Sequence, residues 1–148
     1  MIKDGSSNVA PENIGCRHGV WGEDVAAGFL RRKGYEILER NSRPFEKDRR
    51  LEIDIIAWDR EADTMVFVEV KQHSRISPYA RRLQSVNRSK RANIRRACNA
   101  WRRINKWRGA FRFDVIEIYG VPEGGLPVVD HIEKVDLFAR RGRFVKWN

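Results

Sequence analysis

Hydrophobic and polar residues recur along this chain with the periods of an α/β protein. Two helices are predicted over 19–33 and 86–106, and five strands over 35–43, 51–59, 64–71, 111–119 and, more weakly, 128–135. Three consecutive strands favour an antiparallel meander, and a long helix between strands three and four favours a crossover that makes those two strands parallel. The predicted fold is therefore an α/β sandwich with a mixed central sheet.

A polar segment separates the second and third predicted strands and sets their register. If residues 60–63 form a four-residue loop, a common hairpin length, Asp59 opposes Thr64. Side chains alternate faces along a strand, so this register also decides which polar residues share a face.

Four charged residues fall together in that register. Asp54 is predicted to oppose Glu69, and Glu52 to oppose Lys71, with all four on one face. Opposed like charges destabilise a sheet, so a cation between Asp54 and Glu69 would explain the pattern. Mg²⁺ accepts carboxylate ligands and keeps waters for a substrate phosphate. The competing interpretation is a surface hairpin with cross-strand ion pairs.

Length and composition indicate one globular domain. Residues 1–16 are rich in small polar residues and are predicted to be a flexible N-terminal arm, with a single domain over 17–148. The chain shows neither a run of 18 apolar residues nor an N-terminal apolar signal region, so we expect a cytoplasmic protein. Cys16 and Cys98 form no disulfide framework, and Cys98 is expected in the core.

Positive charge is concentrated in one part of the chain. Of the net charge of +10, residues 70–113 supply 14 Lys and Arg with no acid, whereas the rest carries 16 basic and 20 acidic residues. Such a block favours nucleic acid over a membrane as the partner, with DNA preferred to RNA; a solvated basic face is the alternative. The candidate contacts are Arg75, Arg88, Lys90, Arg91, Arg95 and Arg102.

The C-terminal residues 137–148 are basic and aromatic. This segment could pack on the domain, pair with a second subunit in a homodimer, or contact nucleic acid. The three alternatives stay open at the level of sequence.

Short motifs in a fixed order resemble a known family. They are Gly19-x-x-Gly22-Glu23, Gly34-Tyr35, Asn41-x-Arg43, Glu52-Ile53-Asp54, Phe67-Val68-Glu69-Val70-Lys71 and Arg112-Phe113-Asp114. Together they resemble the YraN-like family of predicted endonucleases. That family is placed in the PD-(D/E)XK, restriction-endonuclease-like superfamily, close to archaeal Holliday junction resolvases. The resemblance spans residues 19–119.

The resemblance implies a restriction-endonuclease-like sandwich with an α-β-β-β-α-β core and a metal-dependent nuclease site. Glu23, Asp54, Glu69 and Lys71 match its active-site positions. Asp54, Glu69, the Val70 carbonyl and Glu23 would hold Mg²⁺ or Mn²⁺, and Lys71 would act on the attacking water. Lys90 matches a helix lysine of the family.

Three features depart from the family pattern. His73 stands where Arg is common, and Leu51 where Gly is common. The connector 45–50 is longer and more charged than usual, which affects substrate contacts rather than the metal ligands.

The sequence thus predicts an Mg²⁺- or Mn²⁺-dependent DNA endonuclease acting on branched or single-stranded DNA. A non-catalytic nucleic-acid-binding protein on the same scaffold is the first alternative. A basic module that binds an acidic protein is the second. Glu23 has an alternative role as an acid that stabilises the start of a helix.

Overall fold

The computed structural model describes residues 11–75 and 88–137. Its elements are α1 (Pro11–Arg32), β1 (Tyr35–Ser42), β2 (Ile53–Asp59), β3 (Thr64–His73), α2 (Arg88–Ile104), β4 (Phe111–Tyr119) and β5 (Val128–Ile132). The predicted element order is confirmed, and the bounds of β4 agree with the prediction at both ends.

A five-stranded sheet runs in the order β1-β2-β3-β4-β5. All neighbouring strands are antiparallel except β3 and β4, which are parallel and are joined through α2. This confirms the predicted α/β sandwich with a mixed sheet. β3 is the central strand and has a hydrogen-bonded neighbour on each side.

Two element boundaries differ from the prediction by more than two residues. α1 begins at Pro11 rather than Gly19, so residues 11–16 of the predicted arm are helical; proline is well suited to a first helical turn. Residues 1–10 lie outside the described residues. β5 ends at Ile132, before a left-handed turn at Lys134 (φ 55°), and Val135 then donates its amide to the Phe113 carbonyl.

The sheet has a hydrophobic core on each face. On the α2 side, Ile94, Ala97, Cys98 and Trp101 pack against strand residues that include Phe67. Cys98 is 1% exposed, as predicted, and burial raises the pKa of its thiol. Ile104, predicted to extend this stripe, is instead 58% exposed because it ends the helix.

On the opposite face, α1 packs Ala26, Ala27 and Leu30 against the sheet. Gly22 is also buried there, and a Cβ at this position would lie 2.9 Å from the Cβ of Gln72. Glycine therefore allows α1 to approach β3 closely. Neither of the helices described has an apolar stretch long enough to cross a membrane.

Candidate metal centre

The β2–β3 hairpin has the register predicted from the sequence. Its ladder runs from the Asp59–Thr64 pair beside the loop to the Ile55–Val68 pair. Continued by one residue, this register sets the next β2 residue opposite Glu69.

That residue is Asp54, whose carboxyl group reaches β3. Its Oδ2 accepts a hydrogen bond of 2.8 Å from the Val70 amide, and its side chain is also hydrogen-bonded to that of Glu69. Glu69 is 5% exposed. The two predicted carboxylates therefore meet at the end of the hairpin ladder, with Glu69 buried and Asp54 half-buried.

This contact changes the acidity of Asp54. Burial, followed by the negative charge of Glu69, raises the pKa of Asp54 to about 8, and the opposing effect of the Val70 amide is smaller. The charge of Glu23 raises that pKa further. Near neutral pH the metal-free pair therefore holds a proton, which a divalent cation would displace.

Two lysines converge on the same carboxylate oxygen. Lys71 Nζ lies 3.2 Å and Lys90 Nζ 2.6 Å from Oε1 of Glu69. Burial and the neighbouring Lys90 lower the pKa of Lys71. Burial acts to lower the pKa of Lys90 as well, but the hydrogen bond and charge of Glu69 outweigh it and raise that pKa. Lys90, assigned above to nucleic-acid contact, thus lies within the site.

Glu23 approaches from α1, one residue beyond the close contact at Gly22. Burial raises its pKa, while a hydrogen bond from Asn41 and the charge of Arg40 act in the opposite direction. Asn41 has a left-handed backbone (φ 50°), which asparagine tolerates better than most residues. The Asn41 motif therefore supports Glu23.

Glu52 does not join the other three charged residues that were predicted to share one face of the hairpin. It precedes the start of β2, and its Oε2 accepts a hydrogen bond of 3.0 Å from Arg43 Nε. The predicted Glu52–Lys71 pair is therefore wrong, because Lys71 binds Glu69 on its own strand and Glu52 has a partner from the preceding connector.

A second acidic group lies where β4 and β5 pair. Ligand atoms of Asp114, His131 and Glu133 lie within 4.8 Å of one another, the only such group of three among the described residues, and this group of one buried, one half-buried and one exposed residue could hold a metal ion. Arg112 Nε already donates a hydrogen bond of 3.0 Å to Asp114 Oδ1, however, and a terminal nitrogen of Arg112 lies 3.6 Å from Glu133 Oε1. A metal there would have to compete with that guanidinium.

His131 connects this group to Lys33. Lys33 Nζ lies 2.9 Å from its Nδ1, and its Nε2 lies 2.9 Å from Asp114 Oδ2. The sequence motif Arg112-Phe113-Asp114 gave no indication of this network.

A further buried acid lies beside Lys71. Glu117 opposes Lys71 in the β3–β4 ladder and is 2% exposed. Its Oε1 lies 3.6 Å from His73 Nε2, and its Oε2 accepts from the Tyr119 hydroxyl at 3.0 Å. His73, one of the departures from the family pattern, thus lies beside the site.

The predicted nucleic-acid contacts differ in their exposure. Arg75 and Arg95 are exposed, and Arg91 is half-buried. Arg102 lies over the Phe111 ring at 3.6 Å, so its guanidinium is partly engaged in packing. The side chain of Arg88 lies outside the described part of the chain.

Comparison with known proteins identifies relatives across this region. A profile described as Uncharacterised protein family UPF0102 matches residues 22–118. UPF0102 proteins of Nocardia farcinica and Acetivibrio thermocellus are 39% and 42% identical over 119 and 122 residues, which cover 79% and 80% of this chain and 87% and 88% of theirs. One from Thermotoga petrophila is 36% identical over 116 residues, covering 78% of this chain and 93% of its own. These matches confirm the resemblance to the YraN-like family.

Proposed function

The chain belongs to the uncharacterised protein family UPF0102, and we propose that it is a metal-dependent endonuclease that hydrolyses phosphodiester bonds in DNA. One observation carries this proposal: the half-buried Asp54 lies against the buried Glu69, and Asp54 has a pKa raised to about 8. Two acids in this arrangement destabilise the metal-free protein once both are charged, and perturbed acids of this kind cluster at functional sites.

The donor atoms suit a hard divalent cation. The carboxylates of Asp54 and Glu69 and the Val70 carbonyl offer oxygen ligands, and Glu23 adds a third carboxylate directly or through water. Mg²⁺ or Mn²⁺ bound there would lower the pKa of a bound water and neutralise charge developing on the phosphate.

The lysines supply the remaining chemistry. Lys71 has a lowered pKa and lies beside Glu69, which suits a group that orients the attacking water and exchanges a proton with it. Lys90 would donate to phosphate oxygens and stabilise negative charge on them.

Exposed arginines of α2 would hold the DNA backbone through contacts that do not depend on sequence. Arg95, Arg96 and Arg103 are exposed on the helix that carries Lys90. The proposed substrate is branched or single-stranded DNA.

The deciding experiment is cleavage of duplex, single-stranded and four-way-junction DNA with Mg²⁺ or Mn²⁺. Wild type should cleave at least one of them, while Asp54→Asn, Glu69→Gln and Lys71→Ala should lose at least a hundredfold in rate and still bind DNA. Lys106→Ala, a change to an exposed lysine outside the site, is the matched control. Cleavage by Lys71→Ala at the wild-type rate would show that the assignment is wrong.

A non-catalytic DNA-binding protein is the second candidate, and one observation favours it. Lys71 and Lys90 both contact Glu69, so their positive charges can balance the charge of Glu69 without a metal. Under this alternative, no substrate would be cleaved with either metal. Lys90→Ala would lower the stability of the protein, and it would leave the effect of metal on Tm unchanged.

A further inference from the structure

An open cavity lies between the connector that precedes β2 and the exposed side of α2. It has a volume of about 580 Å³, within the range of small-molecule pockets. Its lining residues are Phe45, Lys47, Asp48, Arg50, Leu51 and Arg96. The connector is the segment that is longer and more charged than the family pattern.

The lining combines an apolar surface with cations. Leu51 is 1% exposed, whereas Phe45 is 40% exposed and offers part of its ring to solvent. Lys47 and Arg96 are both exposed. A flat apolar ligand that carries negative charge would match both parts of this surface.

The one acid in the lining is already engaged. Arg50 Nε and one of its terminal nitrogens each donate to the Asp48 carboxylate at 2.9 Å, and the Arg50 amide donates at 3.1 Å. These bonds hold the Asp48 carboxylate against its own connector. The cavity therefore retains a cationic character suited to phosphate.

The cavity lies close to the candidate metal centre. Leu51 precedes Asp54 by three residues, so their Cα atoms are at most about 11 Å apart. Arg96 follows Lys90 by six residues, a rise of about 9 Å along α2. A nucleic-acid strand advances about 3.4 Å per stacked nucleotide, so the two sites are spaced by a few nucleotides of one strand.

From this chemistry and spacing, we infer that the cavity binds an unpaired nucleobase of a single-stranded segment, with Phe45 stacking on the base and Lys47 and Arg96 contacting its flanking phosphates. A base inside a duplex has both faces covered by its neighbours and cannot stack on a protein ring. The cavity would thus select single strands or unpaired ends. The inference extends the proposed function by naming the substrate class.

The test measures binding in EDTA, so it does not depend on cleavage. The probe is an eight-nucleotide oligothymidylate with one central 2-aminopurine, whose fluorescence is quenched when the base stacks. Wild type should bind and quench it. Phe45→Ala should weaken binding about tenfold and abolish quenching, and Phe45→Trp should restore the affinity.

Two controls keep the result specific. Leu38→Ala removes an apolar side chain of similar exposure (43%) on β1 and should change nothing. Phe45→Ala should bind an eight-base-pair duplex as wild type does. Unchanged single-strand binding by Phe45→Ala, or equal losses on both probes, would overturn the inference, whereas the cleavage assay alone decides the proposed function.

Discussion

Asp54 is the residue whose ionisation couples the site to protein stability. A carboxyl group with a higher pKa in the folded than in the unfolded chain binds more protons when folded. The free energy of unfolding therefore falls as pH rises from the unfolded pKa of about 3.9 to the folded value of about 8, and levels off above it.

Asp54→Asn should remove this dependence. The new side-chain amide can still accept a hydrogen bond from the Val70 backbone N–H and donate one to Glu69, as the protonated acid does. Unlike the acid, it does not ionise. In EDTA, the variant should melt close to wild type at pH 5 and several degrees higher at pH 9. Melting curves from pH 5 to 9 measure the difference, and a variant less stable than wild type at pH 9 would make Asp54 an ordinary ion-pair partner.

Prediction from the sequence succeeded for Asp54 and Glu69, because the alternation of side chains along a strand and the length of the loop fix the register of a hairpin. It failed for Glu52, whose partner Arg43 lies in the irregular connector. It also failed for the Arg112 network, where Arg112 binds Asp59 and Tyr35 at sequence separations of 53 and 77. Such long-range contacts have no periodic signal in one sequence.

At the scale of the element, α2 divides its surface between core and solvent. Ile94, Ala97 and Cys98 are buried, as their helical spacing predicted. The contact of Lys90 with Glu69 could not be predicted, because the spacing of apolar residues along a helix does not determine where its first turn packs on a sheet. The opposite face of α2 carries exposed arginines.

Those arginines should determine the salt dependence of DNA binding. Replacing Arg95, Arg96 and Arg103 by Gln should flatten the slope of log affinity against log salt by up to about 2.7, since each phosphate contact contributes about 0.9. Titrations from 50 to 200 mM salt measure this slope. The matched control replaces Arg17, Arg31 and Arg32, which are exposed on α1; an equal effect there would mean that α2 is not the binding surface.

At the scale of the molecule, a metal that binds only the folded state should stabilise the whole domain. At a hundred times its dissociation constant the gain is about 2.7 kcal/mol, which corresponds to a rise of about 5–10 °C in Tm. Thermal melts with and without Mg²⁺ or Mn²⁺ measure it. Asp54→Asn should lose most of the rise.

The same melts distinguish the two acidic groups. His131→Gln removes a ligand from the Asp114 group but leaves Asp54 and Glu69 intact. It should keep the full metal-induced rise in Tm even if its metal-free Tm is lower. Loss of the rise in His131→Gln, together with its retention in Asp54→Asn, would place the metal at the β4–β5 group instead.

The central position of β3 has a consequence for hydrogen exchange of its amides. Phe67 and Val68 are 0% exposed, and their strand is hydrogen-bonded to β2 on one side and β4 on the other. Amide protons in such a strand exchange with solvent mainly when the whole domain unfolds, whereas helix ends exchange through local fraying. Deuterium labelling at Phe67 and Val68 therefore reports the global unfolding of the domain.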